Sequence, residues 1–133
     1  MQKLDNFCRA LRNLDEIRHY TPPYGPVELS GMVALYEICF EQSWKAMKEA
    51  LALSGFSEGK TGSPKLILKT AYLAGMIRDE ALWLSALAAR NNASHAYSEA
   101  IALEIVRDIG EKFLPMFHDL KTELTANWQP EAE

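Results

Sequence analysis

The stretch LSGMVALYEICFEQSWKAMKEAL, residues 29–51, decides the fold class. Large apolar side chains recur in it at steps of three or four residues: Leu29, Met32, Val33, Tyr36, Phe40, Trp44, Met47 and Leu51. This spacing matches the 3.6-residue period of an α-helix and predicts one long helix. A second apolar strip runs beside the first and comprises Leu35, Ile38, Cys39, Ala46 and Ala50. A helix in a small bundle needs one such strip, so the second predicts another helix or a second subunit on that side.

The same periodicity on both sides of this stretch predicts the remaining helices, at residues 4–20, 64–77, 80–90 and 96–125. Residues 55–62 are predicted to form a loop, and the apolar helix after Pro64 is predicted to be largely buried. Pro115 is expected to kink the last helix because its ring removes one backbone hydrogen bond. The chain is therefore predicted to be all-α, an up-and-down four-helix bundle with one short extra helix. Residues 1–126 are expected to form a single domain, and residues 127–133 a frayed tail.

Composition narrows the function classes. The 133 residues carry a formal net charge of −4, which argues against broad electrostatic binding of nucleic acid. No apolar run approaches the roughly 20 residues that cross a bilayer, so we expect no membrane association and a cytoplasmic location. Glu16 and His19 have the spacing of a di-metal site, but no second such pair is present, so no metal site is predicted.

Positive charge is concentrated locally, because residues 59–78 contain four basic residues and no acid. Lys65 and Lys69 lie one helical turn apart and could contact a substrate that carries phosphate. A solvated helix face explains the same pattern.

The stretch RNNASHAY, residues 90–97, gathers an arginine, a histidine and a tyrosine. On one uninterrupted helix, Arg90 and His95 would lie about 140° apart and could not act on one ligand. Asn91 and Asn92 are poor helix formers, so a break is expected there. Such a break would place Arg90 at the end of one helix and His95 in the first turn of the next, with both side chains at one corner.

An ordered set of motifs resembles the family of nucleotidyltransferase substrate-binding proteins. The set consists of Phe40-Glu41-x-Ser43-Trp44-Lys45, Gly62-Ser63-Pro64, Trp83, and Arg90-Asn91 followed by His95-x-Tyr97. The last of these also resembles the signature of HEPN domains, which are helical bundles with an arginine four to six residues before a histidine. Order and spacing agree over nearly the whole chain.

This resemblance implies a small helical protein that forms a complex with a minimal nucleotidyltransferase. In related toxin–antitoxin pairs, the HEPN protein is a metal-independent ribonuclease, and the transferase neutralises it by adding AMP to the motif tyrosine. The resemblance thus makes Tyr97 the modification acceptor and RNA the candidate substrate. This chain is expected to carry no cofactor of its own, since ATP and magnesium belong to the partner.

The residues suit such chemistry. Arginine can bind phosphate oxygens with two parallel hydrogen bonds, and histidine can transfer protons near neutral pH. His95 in the first turn of a helix would face the positive end of the helix dipole and favour the neutral, basic form. Asn91 could orient either side chain. One chain supplies one motif histidine, so a homodimer with two copies of Arg90 and His95 in one cleft is expected.

A second function fits the same residues, namely a non-catalytic subunit that presents substrate to the nucleotidyltransferase. Simpler structural roles also remain open. Arg90 and His95 could cap adjacent helix ends, and Trp44 and Trp83 could be core side chains. Glu41 and Lys45 could be an ordinary surface pair or a contact for substrate or partner.

Overall fold

The computed structural model describes residues 1–129 and shows an α-helical bundle, which confirms the predicted fold class. Its α-helices are α1 (Gln2–Asp15), α2 (Pro26–Leu53), α3 (Glu58–Thr61), α4 (Pro64–Leu73), α5 (Glu80–Asn92), α6 (Glu99–Asp108) and α7 (Leu114–Asn127). Short 3-10 turns follow α1 and α5, at Glu16–His19 and Ala93–His95. None of the helices within residues 1–129 is long and apolar enough to cross a membrane.

Helix α2 is the centre of the bundle and packs against all the other α-helices. Its main apolar stripe is buried, except for the half-buried Trp44. In the second strip, Cys39, Ala46 and Ala50 are also buried within the same chain. Leu35 is half-buried and Ile38 is exposed. Most of the second strip is therefore covered by neighbouring helices, and only its N-terminal end is free for a second subunit.

The segment from residue 55 to residue 77 differs from the prediction in two ways. The predicted loop contains the one-turn helix α3, whose Gly59 lies so close to α2 that a Cβ atom would come within 2.8 Å of the Lys48 carbonyl oxygen. Helix α4 ends at Leu73 instead of Ile77, because Gly75 adopts a φ of +79°. The Met76 amide then donates to the Ala71 carbonyl at 2.9 Å, as in a glycine-terminated helix end.

Helix α4 is also less buried than predicted. One of its faces is exposed to solvent and carries Lys65, Leu66, Lys69, Tyr72 and Leu73. The opposite face, with Ile67, Leu68 and Ala71, packs into the core. The nearly continuous run of apolar residues after Pro64 did not predict that α4 has one buried and one exposed face.

The predicted helix break comes two residues later than expected, because α5 includes Asn91 and Asn92 and ends there, with Arg90 in its last turn. Helix α5 continues through both asparagines and passes directly into the turn Ala93–His95. An asparagine in a helix costs only a few tenths of a kcal/mol relative to good helix formers, so packing outweighs it, and Ala93 is buried immediately afterwards. The chain changes direction later, and α6 begins at Glu99 after the extended residue Ser98.

The last helix is interrupted, but by a π-helical segment, Ile109–Phe113, directly before α7. Pro115 follows within the same run of helical backbone, since Phe113 and Leu114 both have helical φ and ψ, so the π-helical segment is the distortion that accompanies the proline. Of the predicted tail, Asn127 ends α7 and the Trp128 indole donates to Glu123 at 3.0 Å. Residues 130–133 lie outside the described residues, and their frayed character stays a prediction.

Candidate functional site

A polar cluster joins α2 to α5 around Glu41. The Arg90 guanidinium donates from Nη2 to Glu41 Oε2 at 2.8 Å, across 49 positions of sequence. A second guanidinium nitrogen, Nη1, donates to the Asn91 side-chain oxygen at 3.2 Å. The Arg90 and Glu41 side chains are 33% and 30% exposed, so the pair is shielded but remains reachable from solvent. Arg90 is therefore held in place by a residue of another helix.

Glu41 has two more partners on its own helix. The Trp44 indole donates to the same carboxylate oxygen at 3.0 Å, and Lys45 lies 3.5 Å from the other one. Partial burial alone would raise the pKa of the Glu41 carboxyl. The Trp44 hydrogen bond and the charges of Arg90 and Lys45 outweigh burial and lower this pKa below its usual value. Glu41 is thus held as a carboxylate at neutral pH.

Contacts between uncharged groups also hold α2 and α5, the two helices that carry this cluster, against each other. The Tyr36 hydroxyl, buried on α2, donates to the Ala86 carbonyl on α5 at 2.5 Å. Ala86 lies one turn before Arg90, and Tyr36 lies five residues before Glu41. Burial raises the pKa of the Tyr36 phenol, so it stays a proton donor. Trp83 packs on Phe40 with ring centroids 6.2 Å apart, which makes it a core residue.

His95 and Tyr97 form a second, exposed region at the turn between α5 and α6. Their rings meet edge to face with centroids 6.2 Å apart. The Tyr97 side chain is 87% exposed, and His95 is exposed as well. Exposure makes both side chains accessible to another molecule, which distinguishes them from the shielded Arg90.

Arg90 and His95 have different partners within one chain, and their joint action on one ligand stays a prediction. Arg90 lies in the last turn of α5 and bonds to α2, whereas His95 ends the 3-10 turn that follows and contacts Tyr97. Contrary to the prediction, His95 lies before α6 and not in its first turn, where the positive end of that helix dipole would face it.

The remaining candidate residues, all within residues 1–129, do not contact the cluster around Glu41. Lys65 and Lys69 are exposed on α4, and neither forms an ion pair with a described residue. Glu16 and His19 pair with each other at 2.9 Å on the surface. Within residues 1–129, no group of three or more histidine, cysteine, aspartate or glutamate side chains is arranged to hold a metal ion.

Lys48 also belongs to this cluster, although the sequence did not predict it. The Lys48 ammonium lies 5.7 Å from the centre of the Trp44 ring, within the range of a cation–π contact. Its position four residues after Trp44 was the available signal.

Comparisons with known proteins agree with this architecture. A Haemophilus influenzae structure, described as revealing the fold of a substrate binding domain of a nucleotidyltransferase, is 23% identical with a TM-score of 0.78. The alignment covers 92% of this chain and 98% of that one. A crystal structure from Thermus thermophilus is 28% identical with a TM-score of 0.71, covering 93% of this chain and 99% of that one. No curated protein matches significantly. The model of the family described as "nucleotidyltransferase substrate binding protein like" matches residues 2–126, and this chain belongs to that family.

Proposed function

We propose that this chain is the HEPN-type partner subunit of a minimal nucleotidyltransferase, and that the transferase adds AMP to Tyr97. The observation that carries the proposal is the 87% exposure of Tyr97, at a turn that a second protein can reach. Membership of the nucleotidyltransferase substrate binding protein like family supports the choice of partner. Both proteins are expected in the cytoplasm.

The modification needs little from this chain except an accessible hydroxyl. The Tyr97 oxygen forms a bond to the α-phosphorus of ATP while the bond from that phosphorus to the bridging oxygen breaks. Pyrophosphate leaves, and the phenolic proton passes to a base on the partner or to water. ATP and its magnesium are bound by the partner, and this chain supplies the acceptor.

The activity under control is proposed to be metal-independent RNA cleavage by Arg90 and His95. In this reaction the ribose 2′-oxygen attacks the neighbouring phosphorus and the 5′-oxygen leaves. One His95 accepts the 2′-hydroxyl proton, and His95 of a second copy donates a proton to the leaving oxygen. Arg90, already oriented by Glu41, stabilises the charge that develops on the phosphate, and Asn91 helps to orient it.

A surface of α2 supports the homodimer that this reaction requires. Val27, Gly31, Ala34 and Ile38 are exposed and follow one another at steps of three or four residues, so they form one stripe. A Cβ atom on Gly31 would meet nothing within 4 Å, so nothing in this chain requires a glycine in the middle of that helix. Small residues between two exposed large apolar ones suit the close approach of another helix.

The same stripe leads to the polar cluster. Its next positions at steps of three and four residues are Glu41, which binds Arg90, and Lys45, which pairs with Glu41. A second copy packed on this stripe would therefore border Arg90, as a composite site requires. AMP on Tyr97, whose ring meets that of His95, would place a bulky anion beside this site and block RNA.

Growth and cleavage assays with matched dimer variants test the nuclease. Expression without the transferase is expected to arrest growth, and the purified chain is expected to cleave RNA. Ile38→Glu should abolish both effects together with dimerisation, while Leu53→Glu, at an exposed position near the end of the same helix, should leave them intact. Full cleavage by a monomeric Ile38→Glu variant would contradict the composite site.

The alternative is a non-catalytic subunit that presents substrate to the transferase. Two observations favour it: the pairing of Arg90 with Glu41 offsets its charge, and the net charge of −4 opposes RNA binding. This alternative predicts no growth arrest without the transferase. It also predicts that loss of this chain lowers the affinity of the transferase for its substrate.

A further inference from the structure

A cavity of about 350 Å³ opens beside Tyr97, between the start of α2 and the start of α6. Its volume lies near the lower end of the range for small-molecule sites, roughly 300–1,000 Å³. The side chains that define it are Tyr24, Leu29, Ser30, Tyr97, Glu99 and Ala102. Neither the proposed transfer of AMP nor the cleavage of RNA accounts for this cavity.

The lining combines three kinds of surface. Leu29 and Ala102 are buried and supply an apolar floor. Tyr24 is half-buried and Tyr97 exposed, so two aromatic rings border the space. The Ser30 hydroxyl and the Glu99 carboxylate are left to contact a ligand, since neither hydrogen-bonds to a described side chain.

These features select for an uncharged, flat ligand with hydrogen-bond donors. An aromatic base can stack on a tyrosine ring, and its amino group or a ribose hydroxyl can donate to Glu99. The same carboxylate repels phosphate, so the phosphate of a nucleotide would remain outside the cavity. Tyr97, which forms part of the wall, is the side chain from which a phosphate-linked nucleoside would extend.

We infer that this cavity binds a nucleoside, the adenosine of the AMP carried by Tyr97. The inference rests on the proposed adenylylation for the source of its ligand. The adenosine would fold back against α2 and α6, and the linking phosphate would lie at the turn beside His95. The attached AMP would then be held against the turn between α5 and α6 and would not project into solvent.

The test uses the unmodified chain, so that it does not depend on the transferase. Addition of millimolar AMP should shift the backbone amide NMR signals of Ser30, Ala96 and Ala102. Signals of Leu82 and Met116, which line a separate cavity of about 210 Å³, should not move. UMP should bind at least about fivefold more weakly, because its smaller ring has no exocyclic amino group to donate to Glu99. Equal binding of UMP would overturn the assignment to adenosine.

Variants of the cavity complete the test. Ala102→Phe fills the floor and should weaken AMP binding at least tenfold, whereas Ala100→Phe, on the exposed side of α6, should not. If Ala102→Phe fails to fold, Glu99→Ala removes the hydrogen-bond acceptor and should weaken the binding of adenosine, which carries no phosphate for the carboxylate to repel, about fivefold. Absence of shifts at the cavity, or shifts unchanged by these variants, would overturn the inference. AMP binding to a chain that the transferase never modifies would instead refute the proposed function alone.

Discussion

Arg90 and Tyr97 lie seven residues apart but in opposite surroundings. Arg90 is two-thirds shielded and bonded to another helix, whereas Tyr97 is almost fully exposed on a turn. The first arrangement fixes the direction of a charged group. The second leaves a side chain and its hydroxyl open to solvent. One short motif can thus combine a residue built for positioning with a residue built for access.

The largest effect is expected at His95, which belongs to the exposed region. His95→Ala should reduce RNA cleavage at least about 100-fold, because it removes the proposed proton-transfer group. The free energy of unfolding should change by less than about 0.5 kcal/mol, since the side chain is exposed. Cleavage by purified protein and denaturant titration measure the two quantities. His19→Ala, also exposed, is the matched control and should retain cleavage.

Glu41 should show the opposite behaviour, with a clear loss of stability. Glu41→Ala removes the partner of Arg90, Trp44 and Lys45 and is expected to lower the free energy of unfolding by about 2 kcal/mol. Glu37→Ala, one turn earlier and exposed, should change it by no more than about 0.5 kcal/mol. Equal values for the two variants in denaturant titrations would show that the cluster does not hold α5 on α2.

A substitution at Tyr36 tests the hydrogen bond between α2 and α5 without changing the polar cluster around Glu41. Tyr36→Phe removes only the hydrogen bond to Ala86 and should cost about 1 kcal/mol of unfolding free energy. Cleavage per folded molecule should be retained, since Arg90 keeps Glu41. Tyr72→Phe, at an exposed tyrosine, should have no measurable effect on stability.

The smallest effect is a pH dependence of the Glu41 contribution. Because the pKa of Glu41 is lowered in the folded chain, the carboxylate stabilises the fold fully above the unfolded-state pKa of about 4.3. This contribution is lost as the pH falls through the lowered, folded-state pKa. The difference in free energy of unfolding between the native chain and Glu41→Ala should therefore be constant near neutral pH, at about pH 6 to 7. It should become smaller as the pH falls into the acid range. A difference that grows in acid would contradict the lowered pKa.

Local patterns predicted the helical fold and many of its boundaries. Helix α4 begins at Pro64 and α5 at Glu80, both as predicted, and Asp79 caps α5 by accepting from the Leu82 amide at 3.0 Å. These features depend on neighbours along the chain. The early end of α4 at Gly75 was also a local signal, a glycine just past a helix, that the apolar run obscured.

The candidate site was harder to predict because its key contact is not local. Glu41 and Lys45 have the spacing of a surface pair and do form one, yet the closer partner of Glu41 is Arg90. The helix break comes two residues later than predicted for a related reason. Packing of Ala93 and the contact of Arg90 with α2 outweigh a small helix-propensity cost that sequence alone cannot compare with them.

The most direct test of the account is transfer of labelled AMP from ATP to the purified chain by its nucleotidyltransferase. The account predicts one AMP per chain, located at Tyr97 by peptide mass spectrometry. Tyr97→Phe should accept none, while Tyr20→Phe, at another exposed tyrosine, should accept the full amount. Equal labelling of the Tyr97→Phe variant, or no labelling of the native chain by an active transferase, would contradict the account.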